Sequence, residues 1–163
     1  MLQSKDRIAE WIRNQDPYIC CLKRPTSEQR PTKTECEGMD TNFPRKWTGK
    51  KARVAILIPD KTELKKKKKR SVKTDTEGHF IILKGRIHQE DINIVNIYAP
   101  NIGAPKYIKK ILEEFKKDIN SNTLIVGDFN TPLSKMDRSS KQNISKDIVV
   151  LNKALDQMDL TDI

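Results

Sequence analysis

Histidine, cysteine and aromatic residues are scarce in this chain. Of 163 residues, two are His, three are Cys and 6% are aromatic. The two histidines, His79 and His88, and the cysteines Cys20, Cys21 and Cys36 show no zinc-ligand spacing. Adjacent cysteines do not pair with each other, and an odd count argues against a disulfide framework. Cys20 and Cys21 lie in an apolar stretch and read as small buried residues. Long apolar runs are missing too. Those present, such as 54–58 and 124–126, are strand-sized at most, so no membrane partner is expected. The N-terminus has no apolar region of the signal-peptide type. The expectation is therefore an intracellular protein, nuclear or cytoplasmic, and not secreted. Hydrophobic residues make up 36% of the chain, and the mean hydropathy is −0.71. That is lean for this length, so part of the chain should lie outside the core.

Positive charge is what the chain has in excess. Its formal net charge is +10. Six of its basic residues are consecutive: Lys65, Lys66, Lys67, Lys68, Lys69 and Arg70. A run of that kind repels itself and cannot pack, so it reads as a loop. It attracts polyanions, DNA or RNA, with strong salt dependence and without sequence preference. A nuclear-import signal and a solvated loop without function are the other readings.

Periodicity places the elements. Ser4 can cap a helix reaching residue 14, with Ile8, Trp11 and Ile12 on one face. Residues 18–22 read as a buried strand. Residues 23–51 hold three prolines, many charges and little periodicity, and 60–76 contain the basic run; both read as irregular or disordered insertions. Strands are expected at 54–58, 79–84 and 92–98, with Gln89, Glu90 and Asp91 in the turn between the last two. The 92–98 strand alternates in part, which suggests one buried face. Pro105 suits the first residue of a helix carrying Ile108, Ile111, Leu112, Phe115 and Ile119. A strand at 124–126 follows. Ser145 can cap a last helix carrying Ile148, Leu151, Leu155 and Met158. The order defines an α/β class, with a strand–helix–strand crossover across 92–126.

The most informative motif ends the 124–126 strand. Gly127-Asp128-Phe129-Asn130 puts a carboxylate and a carboxamide two residues apart, just past a short buried strand. An Asp held there can orient a water or take its proton. If the extended conformation continues, Asn130 points to the same side and can donate to a phosphate oxygen. The alternative is an Asx turn closing the strand-to-loop junction.

Three segments together carry a resemblance: 96–101 (Asn-Ile-Tyr-Ala-Pro-Asn), Gly103-Ala104-Pro105, and 127–132 (Gly-Asp-Phe-Asn-Thr-Pro). They resemble the endonuclease/exonuclease/phosphatase superfamily, and most closely the endonuclease domain of mammalian LINE-type (non-LTR) retrotransposons. The similarity runs from residue 55 to the end and over 4–21, and it fades over 23–49. It implies a single partial domain spanning 1–163, an incomplete four-layer αββα sandwich with mixed sheets and outer helices. It also implies Mg2+-dependent nicking of DNA. Carried onto this sequence, Asp128 would activate or orient the water, and Asn130 would help bind the phosphate, Asp128 or the water. Tyr98 would donate to the scissile phosphate region, with Thr131 and Arg138 near the DNA backbone.

The departures from that pattern set the functional expectation. The family places Gln-Glu after the Cys-Cys strand, the Glu serving as main metal ligand. Here those positions read Lys23-Arg24. A guanidinium cannot coordinate Mg2+, which demands oxygen ligands. The first strand and the C-terminal part of the family domain, with its closing Asp and His, have no counterpart. The expected protein is a retrotransposon-derived endonuclease fragment that is catalytically inactive. Its alternative is a non-enzymatic remnant binding nucleic acid through 65–70.

Overall fold

The computed structural model describes residues 14–23, 39–42, 53–59, 62, 71–87, 89–133 and 145–161. Arg24, Cys36, Trp47, the basic run 65–70, His88, Arg138 and nearly all of the expected N-terminal helix, Trp11 included, lie outside these residues. Contacts group the chain into two units. The first comprises Met1–Ile97 with Thr123–Gly127, the second Tyr98–Asn122 with Asp128–Ile163.

The first unit is built on two sheets. One contains β1 (Cys20–Lys23), β2 (Met39–Asn42) and β3 (Val54–Pro59) in the order β1-β3-β2, with β3 antiparallel to both neighbours. All six β3 residues are buried, as an apolar run in a central strand should be. The other sheet has the order β4-β5-β6-β7, from β4 (Ser71–Thr74), β5 (Phe80–Ile87), β6 (Glu90–Tyr98) and β7 (Thr123–Asp128). β4, β5 and β6 form antiparallel ladders.

The two sheets meet where β3 packs against β5. Asn96 of β6 links them. Its buried Nδ2 donates to the carbonyl oxygens of Ala55 (2.9 Å) and Leu22 (3.2 Å). This corrects the expectation of one wet face on that strand: residues 94–97 are all buried. The polar side chain is tolerated because two backbone acceptors take its protons.

Four further expectations are corrected. Met39–Asn42 and Ser71–Thr74 are strands inside the stretches 23–51 and 60–76 read as irregular. Each gains its ladder from a more apolar partner strand, a long-range term that local composition does not carry. Glu90 and Asp91 belong to β6, not to the turn, and Arg86 faces Asp91 across the ladder at 2.8 Å. The hydrogen bond from Arg86, reinforced by its charge, holds the Asp91 carboxyl below the usual carboxylate range. Finally, β7 is not buried. It lies at the end of the sheet order, and Leu124 is 40% exposed.

The turn between β4 and β5 is closed by Asp75. Its Oδ1 accepts the N–H groups of His79 (2.6 Å) and Phe80 (3.2 Å), and Oδ2 lies 3.3 Å from His79 Nδ1. His79 therefore has a structural place at the strand entry, as its position in the sequence suggests.

The second unit holds α1 (Ala104–Glu114) and α2 (Lys146–Asp156), with a 3₁₀ turn at Lys116–Asp118. The first begins one residue before Pro105. Gly103 precedes it at φ 75°, a left-handed conformation open to glycine, and its carbonyl accepts the Tyr107 N–H. Ile108, Ile111 and Leu112 are buried on α1, and Ile148, Leu151 and Ala154 on α2, where the helices pack together. Ala154, not Leu155, completes the buried stripe of α2. Ser145 caps this helix as expected, its Oγ accepting the Ile148 N–H at 3.3 Å. Lys106 pairs with Asp147 at 3.4 Å.

Candidate active site at the strand ends

β6 and β7 are neighbours in the sheet, joined in sequence through α1, and both end in residues singled out from the sequence. Tyr98 is the last residue of β6 and Asp128 the last of β7. The strands are drawn together at Gly127, which has φ 135° and leaves no room for a side chain. Just beyond them, Ala99 N–H donates to the Asp128 carbonyl oxygen at 2.9 Å.

The side chains then close a small network. Asp128 Oδ1 accepts the Asn130 N–H at 3.1 Å, an Asx-type link across two residues. Asn130 Nδ2 donates to the Ala99 carbonyl oxygen at 2.6 Å. Asn130 has φ 46°, so the extended conformation does not continue past Asp128. The expectation that both side chains share one side by strand alternation is therefore replaced by a turn. Asn tolerates that left-handed position better than most residues. Tyr98 and Asp128 are half-buried, Asn130 is exposed, and Thr131 follows half-buried in the loop. A little further on, Leu133 O accepts from Asn152 Nδ2 of α2 at 3.1 Å.

The structure thus gathers Tyr98, Asp128, Asn130 and Thr131 at one end of two neighbouring strands. Arg138 and the run 65–70 lie outside the described residues. Two features were not foreseen from sequence: the bonds from the Ala99 backbone to both motif residues, and the close approach of Gly127, itself part of the motif, to Ile97. The Gly127 signal was present as a glycine inside an otherwise apolar strand.

Among the described residues, no group of three or more His, Cys, Asp and Glu side chains could hold a metal ion. The strand ends offer one carboxylate, and one of its oxygens already accepts an amide N–H. Mg2+ binds through a near-octahedral set of oxygens, commonly one or two carboxylates with waters and substrate phosphates. These residues by themselves do not make a fitted magnesium site. No helix among the described residues is long and apolar enough to cross a membrane. Of the two described thiols, Cys21 is pushed up to about 11, first by burial and then by neighbouring Cys20.

No protein-family model matches the sequence. Solved structures do match the fold. The endonuclease domain of TRAS1, a telomere-specific non-LTR retrotransposon, is similar over 95% of this chain and 66% of its own length, with a TM-score of 0.62 and 12% identity. Truncated Caenorhabditis elegans TDP2 is similar over 83% of this chain and 57% of its own, with a TM-score of 0.58 and 17% identity. D. rerio TDP2 complexed with a single-strand DNA product is similar over 78% and 54%, at TM-score 0.52 and 12% identity. The chain therefore shares the α/β fold of these structures, the endonuclease/exonuclease/phosphatase fold. It spans 66% or less of the length of each of these three structures.

Proposed function

We propose that this chain is a retrotransposon-derived piece of a Mg2+-dependent DNA endonuclease, a phosphodiesterase, and that it does not cut DNA in this form. In the intact chemistry, Asp128 activates or orients the attacking water, and Asn130 helps bind the phosphate, Asp128 or that water. Tyr98 donates its hydroxyl to the scissile phosphate region, and Thr131 and Arg138 hold the DNA backbone. The observation that carries the inactive reading is the sequence at 23–24, where Lys-Arg replaces the Gln-Glu that the resemblance places after the Cys-Cys strand. Arg24 stands where the resemblance puts the carboxylate that would complete a metal site. Catalytic groups that act as a unit fail together, so one surviving carboxylate does not retain a proportional share of the rate.

The test is nicking of supercoiled plasmid by the purified full chain with Mg2+. The expected result is no cutting above a mock-purified control, and no difference between the chain and Asp128→Ala. Cutting that is lost in Asp128→Ala and on adding EDTA overturns the reading.

A second reading rests on a separate observation, the six consecutive basic residues in a chain of net charge +10. In this reading the protein binds DNA or RNA backbones through 65–70 without chemistry. A fold-mate complexed with a single-strand DNA product supports it. Binding that collapses with added salt, and when the run is replaced by Ser, is the expected outcome.

A further inference from the structure

Ser71 follows the basic run directly, so Lys68, Lys69 and Arg70 occupy the three positions before it and Lys73 lies two positions after. It is the first residue of β4, is exposed, and faces Lys84 across the ladder to β5. β4 stands at the end of the sheet order, and Ser71, Val72 and Lys73 are all exposed. A hydroxyl on exposed, extended backbone at a sheet end can be captured in an enzyme cleft without opening the core. The other described serines lack this combination. Ser145 caps α2. Ser121 sits in a turn after Asp118, Ile119 and Asn120, its Oγ near Asn122.

We propose that Ser71 is a phosphorylation site for a basic-directed protein kinase, and that the added phosphate weakens the hold of 65–70 on nucleic acid. The second part rests on the nucleic-acid-binding reading above. In the reaction, Ser71 Oγ attacks the γ-phosphorus of a nucleoside triphosphate. The Oγ–P bond forms, the bond from phosphorus to the bridging oxygen of the diphosphate breaks, and the hydroxyl proton passes to the kinase base. Acidic residues in such a kinase's cleft match the cations preceding Ser71. The product carries about −1.5 to −2 charges at pH 7, on the residue next in sequence to Arg70. Each basic residue drawn to that phosphate is one fewer on a nucleic-acid backbone.

The full chain is incubated with ATP and a kinase that prefers Arg and Lys before its serine. Intact and peptide mass spectrometry then read the product. One phosphate at Ser71 is expected, lost in Ser71→Ala and retained on the new hydroxyl in Ser71→Thr. Modified and unmodified protein are then titrated with a fluorescent mixed-sequence duplex across salt concentrations. The phosphorylated chain should bind more weakly, with its log–log salt slope shallower by about 2. Modification elsewhere with Ser71 untouched, or a phosphorylated chain whose slope is unchanged, overturns the proposal. Failure of the unmodified chain to bind duplex at low salt overturns the nucleic-acid reading instead, and the mass measurement still decides whether Ser71 is the acceptor.

Discussion

A Cβ placed on Gly127 would lie 1.9 Å from the carbonyl oxygen of Ile97. The backbone of β7 approaches β6 so closely at that point that only hydrogen fits, and φ there is 135°. Gly127→Ala is expected to cost about 2–4 kcal/mol, or to prevent folding, through combined strain and overlap with backbone that cannot yield. Urea denaturation followed by circular dichroism measures it. A loss below about 0.5 kcal/mol, the size of an ordinary surface change, would contradict the close approach.

Asn130 separates two effects at the site. Asn130→Gly keeps the left-handed backbone and removes the donor to Ala99 O, so it should cost about 0.5–1.5 kcal/mol. Asn130→Ala loses the same bond and adds about 1–2 kcal/mol of left-handed strain. The glycine variant is expected to be the more stable of the two by chemical denaturation. The reverse order would mean that the φ of 46° is not the solution conformation.

Asn96 donates to both Ala55 O and Leu22 O from a buried position. Asn96→Ala leaves those carbonyls short of a partner and opens space between the sheets. About 1–3 kcal/mol of destabilisation is expected. The midpoint of thermal melting should fall, and a midpoint unchanged within error would refute the role given to this side chain.

Ser145→Ala removes the cap of α2 and should cost about 1 kcal/mol, while Ser145→Asp should hold stability near the original. Amide hydrogen exchange gives the local readout. The Ile148 N–H should exchange faster in the alanine variant, with α1 amides little affected.

Cys21 predicts a pH dependence. Its thiol is raised from an ordinary 9.0 to about 11 by burial and by Cys20. Between those values the unfolded chain has released the proton and the folded chain keeps it. This contribution to stability is therefore present below pH 9 and lost as pH rises through about 11. Alkylation by iodoacetamide at pH 8 should be much slower at Cys21 in the native protein than in urea. Equal rates in the two states would show that burial does not hold the thiol neutral.

The sequence alone determined what depends on near neighbours. Apolar runs marked β3, β5 and β7, and partial alternation marked β6, because both patterns come from near neighbours along a strand. Spacing marked α1, because residues three and four apart share a helix face. Ser145 was legible as a cap because that bond spans three residues. Contact between remote segments decided the rest. The polar strands β2 and β4 exist through their partners' ladders, and the exposure of Leu124 follows from β7's place at the sheet end. At the site, the residue types at 98, 128 and 130 were readable. The link from Asn130 to Ala99 was not, because it joins residues 31 apart and arises only when β6 and β7 lie side by side.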